Sequence, residues 1–429
     1  MKRIKLNITA LSPLAIAGQK PGSVSEAEDH IPGSVIRGAL ASQILQLSQQ
    51  QIADIADQDL TANGGEFASL FLSDEPAIFQ NAYPGVAKIG EISQVVTDDV
   101  MVLPATAVSS KTKSGFKSNK GNGVFDTLID RFCANAYNYP YDPSDPESIK
   151  KNTDTRVEPY TGFYSCHDGK YRSHSVSTRF LTRVGINRRR ATSEEEILYS
   201  IEVLNESFVE NPKEQNWHPV VYRSAILLEN EDLAKSLAKF INDNSHIFRL
   251  GGATSRGLGK VQIEAELEEA STDVEKRITK FNEQLKQRWQ LWSVFGQPEN
   301  NLLENWIYFT IDLQSDAILT ENWRRTTVIS EKMLKQFTEI NDCLELHTAY
   351  SSYNYRSGWN AAWGLMKDIE LVTTRGAVYL FSVNKEKEKI WTDKLQELEL
   401  KGVGDRTCEG FGQVQICNEF HNVFRENAK

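Results

Sequence analysis

The sequence predicts an α+β fold made of two tandem ferredoxin-like units, the first of which carries an irregular insertion. The main observation is an internal repeat. The segment GGATSRGLGKVQI, residues Gly251–Ile263, returns 153 positions later as GDRTCEGFGQVQI, residues Gly404–Ile416, with seven identities in thirteen positions. Both copies run into residues that alternate polar and apolar, which is the period of a strand. Each glycine loop is therefore expected to close one copy of a duplicated β-α-β-β-α-β unit.

The first unit is predicted to begin with an alternating strand from Lys2 to about Ala17, followed by a polar loop. A helix then starts with Ser34 as its N-cap. Its apolar face is formed by Ile36, Leu40, Ile44 and Leu45. Arg37 lies in the first turn, where a cation opposes the helix dipole, so an anionic partner or a neighbouring carboxylate is expected there.

Residues from about 50 to 175 are predicted to form an irregular insertion. Strands then resume as the antiparallel pair RFLTRVGI and ILYSIEVL, followed by a helix over Asp232–Asp243 and the first glycine loop. The predicted domains are residues 1–270, a linker over residues 271–300 that contains an amphipathic helix, and residues 301–429. The second unit has a first strand from Asn305 and further helices near residues 330–340 and 385–400.

Composition excludes several classes of protein. A hydrophobic content of 40% and a charged content of 25% are ordinary for a soluble globular chain, and no apolar run is long enough for a membrane span. The five cysteines form no CxxC pair, which argues against a disulfide framework and favours a cytoplasmic protein. Cys133, Cys166 and His167 lack an evident fourth ligand, so no metal and no cofactor are expected.

The charges are segregated along the chain, although the net charge is −10. The segment Lys170–Arg190 holds seven basic residues and no acid, and Ser109–Gly121 holds four lysines and no acid. Such segregation predicts a local basic surface on an acidic body, whereas the simpler alternative is a solvated charge run. Ser109–Gly121 is expected to be a finger that is mobile in the free protein and becomes ordered against RNA, through phosphate neutralisation and stacking, or against a neighbouring subunit. The candidate RNA contacts in the two segments are Lys111, Lys113, Phe116, Lys117, Lys120, Arg188 and Arg189.

The glycine loops do not match nucleotide-binding motifs, because both enter strands and neither is closed by Gly-Lys-Ser/Thr. Their glycines allow positive φ, and backbone N–H groups are expected to point outward as an anion-binding nest. The first loop carries Arg256 where the second carries Glu409. The first is therefore predicted to contact RNA directly, and the second to support the fold or to contact RNA mainly through Arg406, Arg356 and Trp359.

Three stretches together resemble the RAMP superfamily of CRISPR-associated proteins. They are IPGSVIRGAL at residues 31–40, RVGINRRRATSEEEILYSIE at residues 183–202, and the paired glycine loops. The segments KGVGDRTCEGFGQVQI and RSGWN…TTRGAVYLF resemble those of the subunit that binds the 5′ handle of the guide RNA in type III effectors. The N-terminal sequence is most similar to the type III-D version of that subunit. Glu196 stands where relatives often have glycine, and the cysteine cluster of some relatives is absent.

The resemblance implies two RNA-recognition-like RAMP domains and a role in antiviral defence. It also implies that the protein itself is not catalytic. The implied partners are the 5′ handle of the guide RNA, the large polymerase-like subunit and the RAMP backbone subunits, with no membrane. It also implies that a helix N-terminus at Ser34 and Arg37 meets phosphate and that the loop glycines shape an RNA groove. The resulting first-loop candidates are Gly251, Ser255, Arg256, Gly257 and Gly259. Gly404, Gly410 and Gly412 are their counterparts in the second loop.

Two enzymatic functions and one non-enzymatic function stay open as alternatives. A guide-processing RAMP endoribonuclease would use a histidine as general acid or base, and His30 is the best candidate. A target-cutting backbone subunit would place a carboxylate between the first strand and first helix, where Glu28 and Asp29 lie. A protein-binding scaffold would explain the acidic net charge, but not the basic segments beside the paired glycine loops.

Overall fold

The computed structural model describes residues 1–17, 26–50, 66–151, 154–187, 189–190, 192–298, 303–360 and 364–429. The chain is an α+β protein with several small antiparallel sheets. Its first part contains β1 (Lys2–Ala10), α1 (Gly33–Gln50), α2 (Glu66–Phe71), β2 (Ile78–Phe79), β3 (Tyr83–Pro84), β4 (Val86–Ile89), β5 (Ile92–Val95), β6 (Met101–Val102), β7 (Ala107–Ser110), β8 (Val124–Asp126), α3 (Leu128–Ala136), α4 (Pro146–Lys151), β9 (Val157–Pro159), β10 (Phe163–His167) and β11 (Lys170–His174).

The chain continues through a long hairpin to the end of the first main sheet. These elements are β12 (Thr178–Asn187), β13 (Thr192–Leu204), β14 (Ser207–Val209), β15 (Trp217–Pro219), β16 (Val221–Leu228), α5 (Glu231–Asp243) and β17 (Val261–Glu269). The last part contains α6 (Val274–Trp292), β18 (Trp306–Leu313), β19 (Leu319–Glu321), β20 (Arg324–Thr326), α7 (Glu331–Thr338), β21 (Leu344–Tyr350), β22 (Tyr353–Asn360), β23 (Leu365–Thr373), β24 (Val378–Asn384), α8 (Glu388–Lys401) and β25 (Val414–Ile416).

The first main sheet has the order β17-β1-β16-β2, with β3 also paired to β16. Strand β1 lies between β16 and β17, antiparallel to both, and buries Ile4, Leu6 and Ile8 on one face. Helices α1 and α5 pack on that face through side chains that include Ile36, Leu40, Ile44, Leu237 and Ile241. The alternation in β1 and the apolar face of α1 are confirmed, although β1 ends at Ala10 rather than near Ala17.

The second main sheet repeats this spatial order as β25-β18-β24-β21. In the first sheet, β17 follows the glycine loop and lies beside β1, while β16, which precedes α5, lies on the other side of β1. In the second sheet, β25 follows the glycine loop and lies beside β18, while β24, which precedes α8, lies on the other side of β18. Helices α6, α7 and α8 contribute to the core of this second sheet through residues such as Phe281, Leu334 and Leu395. Helix α6 occupies most of the predicted linker, and it packs into this core.

The prediction of irregular structure is wrong for residues 66–151 and 154–174. They form the sheet β5-β4-β11-β10-β6, the sheet β8-β7-β9 and helices α2, α3 and α4. Ser109 and Phe116 of the expected finger are both buried. The physical reason is long-range packing: Phe116 and Phe125 share one core cluster with Phe420 and Val423 from the C-terminal tail. None of the described helices is both long enough and apolar enough to cross a bilayer.

Candidate nucleic-acid interface

The two glycine loops have the same backbone conformation as well as similar sequences. In each, a short 3₁₀ turn, Thr254–Arg256 or Thr407–Glu409, lies between residues in the left-handed region. The matched residues with positive φ are Gly251 and Gly404 (87° and 79°), Ala253 and Arg406 (55° and 60°), Gly257 and Gly410 (85° and 94°), and Gly259 and Gly412 (82° and 65°). The repeat seen in the sequence is therefore a repeated structural element.

The glycines that flank each turn allow close approach to the chain's own backbone. A Cβ atom added to Gly251 would lie 2.5 Å from the Ala15 carbonyl oxygen, and one added to Gly404 would lie 2.3 Å from that of Ile318. In each half, the approached segment follows the first strand of the main sheet. These two glycines are thus required for packing within the protein, whatever else the loops bind.

The expected nest of outward N–H groups is wrong at three positions of the first loop. The backbone N–H groups of Arg256, Gly257 and Gly259 donate to the carbonyl oxygens of Ala253, Thr254 and Pro13. The 3₁₀ turn and the contact with the segment after β1 satisfy these donors. A phosphate at this loop would therefore be bound mainly by side chains.

The two loops differ in what covers their turns. Residues 254–257 are exposed, and a Cβ atom added to Gly257 would meet no atom of the described residues within 4 Å. At the matching position, a Cβ atom added to Gly410 would lie 2.5 Å from Asn81 Oδ1 and 3.0 Å from the Phe79 carbonyl oxygen. The second turn is closed by α1 and β2 of the first half, whereas the first turn is open to a partner.

The open turn lies beside a basic and aromatic part of the β12–β13 hairpin. Arg256 Nη1 donates to the Tyr199 hydroxyl at 2.6 Å, and its guanidinium carbon lies 5.7 Å from the centre of that ring. Arg183 faces Tyr199 across the hairpin and donates to the Arg256 carbonyl oxygen at 3.4 Å. Neither arginine has an ion pair with a carboxylate in the described part of the chain. We call residues 254–257, Arg183 and Tyr199 the first-loop surface.

The hairpin is fixed to the loop by apolar packing and presents an exposed apolar face on its other side. Leu181, Ile201 and Val203 belong to the cluster that also contains Leu258 and Ala253. On the opposite face, the apolar side chains of Phe180, Val184 and Leu198 are 58%, 49% and 70% exposed. Arg189 is exposed at the hairpin turn, while Arg188 lies outside the described residues.

The family comparison covers the half of the chain that holds this surface. The family model of the RAMP superfamily matches residues 7–262, which is more than half of the chain. The chain belongs to the RAMP superfamily. A comparison with curated proteins finds no match.

Three solved structures similar to this RAMP protein are cryo-EM structures of the type III-B Cmr-beta complex. The first, bound to cognate target RNA and AMPPnP, matches with a TM-score of 0.36 and 12% identity over 91% of this chain and 93% of that chain. The second is bound to cognate target RNA and the third is in the apo state. They match with TM-scores of 0.30 and 0.29, each with 11% identity over 61% of this chain and 96% of that chain.

The charged residues of the second loop of this RAMP protein pair with partners inside the protein. Arg406 donates to Glu409 at 2.5 Å, and Lys367 lies 3.2 Å from the same carboxylate. Burial alone would raise the pKa of Glu409, but these two cations outweigh burial and lower it. The negative charge of Glu409 is therefore balanced by the two cations beside it. The positive charge of Arg406 is compensated within the loop.

Arg356 has ion-pair partners within the protein, and its contact with RNA stays a prediction. Its guanidinium pairs with Asp316 and lies 3.1 Å from Glu28, so both of its charge partners are within the protein. Trp359 lies in β22, but its side chain is outside the described part of the structure. The candidate contacts assigned to the second half thus have mainly structural partners where their side chains are described.

The helix N-terminus at Ser34 is also occupied. Helix α1 begins at Gly33, one residue before the expected cap, and the Gly33 N–H donates to Asn81 Oδ1 at 2.8 Å. Arg37 donates to the Phe71 carbonyl oxygen at 2.8 Å, and its guanidinium carbon lies 5.3 Å from the centre of the Phe71 ring. The second glycine loop and β2 pack against this end of the helix, and the contact of Ser34 and Arg37 with phosphate stays a prediction.

The lysine-rich segment retains only part of its predicted role. Phe116 is fully buried against Tyr160, Tyr171 and Phe420, so it is not available to stack on a base. Lys111 pairs with Glu158 at 2.9 Å and Lys120 with Glu91 at 2.6 Å. Lys113 and Lys117 are exposed and have no ion pair among the described residues. These two lysines remain candidates for phosphate neutralisation.

The residues proposed for a nuclease form a cluster in which Glu28, Asp29 and His30 place their ligand atoms within 4.8 Å of one another. His30 is buried, and its Nδ1 lies 2.9 Å from Asp29 Oδ1. Arg375 donates to the same Asp29 oxygen at 3.0 Å and lies 3.1 Å from His30 Nδ1. Burial would raise the pKa of Asp29, but the hydrogen bond with His30 and the charge of Arg375 hold it well below its usual range.

This arrangement does not suit a metal ion. The guanidinium of Arg375 already occupies the Asp29 carboxylate, and that of Arg356 lies at Glu28. A metal cation at the cluster would lie next to two arginine cations. We interpret the cluster as an ion-pair junction between the start of α1 and the second half of the chain.

Sequence reasoning missed Arg183 and Tyr199 as members of the site. Arg183 lies within the basic segment Lys170–Arg190, and Tyr199 lies in the following predicted strand. The available signal was the antiparallel pairing of these two strands. It would have placed Arg183 opposite Tyr199 only if the register had been known.

Proposed function

We propose that this RAMP protein is a non-catalytic RNA-binding subunit of a type III CRISPR effector in antiviral defence. In this proposal, residues 1–270 and 301–429 form two ferredoxin-like RAMP domains linked through residues 271–300. The shared strand order of the two main sheets supports this division. The ligand is the 5′ handle of a guide RNA, and the type III assignment rests on the sequence resemblance described above.

The observation that carries the proposal is the asymmetry of the two glycine loops. The first offers two arginines and a tyrosine beside an exposed turn, and neither arginine is paired with a described carboxylate. Arginine and an aromatic ring together suit a phosphate and an adjacent base. The second loop is closed by Asn81 and Phe79 and neutralises its own charges. RNA is therefore assigned to the first-loop surface.

The proposed protein partners are the large polymerase-like subunit and the RAMP backbone subunits. The exposed apolar face of the β12–β13 hairpin supports such docking, because large apolar side chains in a cluster are typical of interaction sites. A second hairpin, β22–β23, exposes Tyr353, Tyr355 and Ile369. Together the two hairpins offer separate surfaces for neighbouring subunits.

The test compares Arg256→Ala with Glu409→Ala, which change matched positions of the repeat. Loss of a charge-assisted contact at Arg256 is expected to weaken binding of a guide-like RNA by about 1.5–3 kcal/mol. Glu409→Ala is expected to leave RNA affinity nearly unchanged and to lower the free energy of unfolding. The measurements are fluorescence anisotropy with labelled RNA and urea denaturation. Equal losses of RNA affinity in two folded variants would contradict the assignment.

The second candidate function is a RAMP endoribonuclease, favoured only by the cluster of Glu28, Asp29 and His30. Against it stand the burial of His30 and the pairing of Asp29 with Arg375. We expect the isolated protein to leave labelled guide precursor and target RNA intact, with or without divalent metal. Cleavage that disappears in Asp29→Ala or His30→Ala would replace the non-catalytic proposal with this one.

A further inference from the structure

A cavity of about 670 Å³ lies between the first main sheet and the C-terminal half of the chain. One wall is formed by β1 and β16, including Asn7 and Arg223. The other includes Lys276 at the start of α6 and the two glutamines Gln413 and Gln415 at β25. We call it the inter-sheet cavity. Its volume lies in the usual range of small-molecule sites, and it shares no residue with the first-loop surface.

Three polar atoms of residues that line this cavity are buried without a hydrogen-bond partner among the residues that the structure describes. They are Arg223 Nε, Gln413 Nε2 and Gln415 Oε1. The Nε2 atom of Gln415 has only the weak acceptor Met101 Sδ, at 3.3 Å. Buried polar groups in native proteins are normally paired, and an unpaired one costs free energy. Three of them around one cavity indicate a polar ligand.

A series of contacts links Arg223 on one wall of the cavity to Gln413 on the other. Arg223 lies opposite Tyr83 in the pairing of β16 with β3. The Tyr83 hydroxyl donates to the Gln314 carbonyl oxygen, and the Gln314 N–H donates to the Gln413 carbonyl oxygen at 2.8 Å. Tyr83, Gln314 and Gln413 all line the cavity. Arg223 lies in β16 of the first main sheet and Gln415 in β25 of the second, while Gln413 immediately precedes β25.

Arg223 differs from the other cations of the cavity wall. Each of the others has a carboxylate within 4 Å. Arg3 pairs with Asp99 and Glu268, Lys5 with Glu268, Lys276 with Asp273, Arg277 with Glu399, and Lys280 with Glu419. Within the described part of the chain, the guanidinium of Arg223 donates to two neutral oxygens, those of the Asn7 side chain and of the Val96 carbonyl. A guanidinium that has no direct carboxylate partner among the described residues, and that keeps a free N–H, suits a phosphate.

We propose that the inter-sheet cavity binds one nucleotide, with its base edge on Gln413 and Gln415 and its phosphate at Arg223. A free amide N–H and a free amide oxygen, on side chains two residues apart in the chain, complement an acceptor and an amino group on a base. Adenine is the expected base, because glutamine amides pair with its N6 and N7 positions. The nucleotide is either free or part of a single-stranded RNA. The second case rests on the proposed function, whereas the first does not.

The experiment is equilibrium dialysis of the full chain with labelled 5′-AMP, 5′-UMP, and short single-stranded oligoadenylate and oligouridylate. Two comparisons are made, 5′-AMP with 5′-UMP and oligoadenylate with oligouridylate. In one or both, we expect the adenine ligand to bind at least about fivefold more tightly than the uridine ligand. Gln413→Ala and Gln415→Ala are each expected to weaken adenine binding by at least about fivefold. Gln413→Glu, which replaces the free donor without removing volume, is expected to weaken it as well.

The matched control is Gln262→Ala, at the repeat position equivalent to Gln415. Gln262 donates to Glu264 and does not line the cavity, so its variant is expected to bind as the wild type does. If the two glutamine variants weaken the binding of 5′-AMP, the ligand of the cavity is a free nucleotide. If they weaken only the binding of oligoadenylate, the ligand is RNA.

Arg256→Ala separates this proposal from the proposed function, because it is expected to weaken oligonucleotide binding and not 5′-AMP binding. Three results would overturn the nucleotide site. They are no binding of any adenine ligand, equal binding of adenine and uridine ligands, or unchanged adenine affinity in folded Gln413 and Gln415 variants.

Discussion

Single residues in this protein gain their roles from the charges placed around them. His421 is fully buried, with Nε2 at 2.7 Å from Asp312 and Nδ1 at 3.2 Å from Asp126. The histidine comes from the C-terminal tail, Asp312 from the central strand of the second sheet and Asp126 from the insertion. One imidazolium thus links three parts of the chain that are far apart in sequence.

This site gives a pH dependence of stability whose sign follows from the pKa of His421. Burial lowers that pKa, but Asp312 and Asp126 outweigh burial and raise it to about 10 from its ordinary 6.5. Because the folded pKa is raised, the stabilisation is fully present below pH 6.5 and is lost as the pH rises through about 10. We expect the free energy of unfolding, measured with urea, to fall across this window.

His421→Gln is expected to be less stable than the wild type at neutral pH and to lose most of the difference at high pH. His218→Gln, at an exposed strand position, serves as the control. A constant difference between wild type and His421→Gln at all pH values would contradict the assignment of the charge to this histidine.

At the scale of elements, the glycine loop is used twice with two different surroundings. In both copies its flanking glycines pack against the segment that follows the first strand of the sheet. The turn itself is free in the first copy and closed by α1 and β2 in the second. The same element can therefore present a binding surface in one half and join the halves in the other.

Gly257→Ala and Gly410→Ala form a matched pair that tests this difference. Both positions have positive φ, so each alanine is expected to cost about 1–2 kcal/mol of folding free energy. At Gly410 the added carbon also meets Asn81 and Phe79, which adds about 1–3 kcal/mol of overpacking. Urea denaturation is expected to rank Gly410→Ala as the less stable variant. The reverse order would mean that the second turn is not closed in solution.

At the scale of the whole molecule, the acidic net charge and the basic first-loop surface act over different distances. The net charge is −10, yet Arg183 and Arg256 have no carboxylate partner among the described residues. Added salt screens the repulsion of RNA by the acidic body and also weakens the local contacts with phosphate. The contacts are expected to dominate once RNA is bound at the surface.

RNA affinity is therefore expected to fall steeply with rising salt despite the negative net charge. In a plot of log K against log salt, Arg256→Ala is expected to reduce the slope by about 1, as for the loss of one phosphate contact. Glu409→Ala should keep the wild-type slope. A wild-type affinity that does not change with salt would contradict an electrostatic interface.

The sequence by itself determined the elements that depend on local pattern. The alternation of Lys2–Ala10, the apolar face of α1 and the helices α5 and α6 follow from periodicity, and all are present. The two glycine loops were recognisable as a repeat because their backbone needs positive φ at the same positions, where glycine is favoured. Arg256 could be singled out for the same reason, since its partner position in the repeat carries Glu409.

Only the tertiary structure decided which of the candidate side chains are free. Arg356, Arg37 and Phe116 looked suited to RNA, but the fold pairs Arg356 with Asp316, directs Arg37 to Phe71 and buries Phe116 against the C-terminal tail. Each of these partners is at least 30 residues away in sequence, so no local pattern could indicate them. Charge and aromatic content are properties of the sequence, whereas exposure and ion pairing depend on long-range packing. The open first turn and the closed second turn differ for that reason.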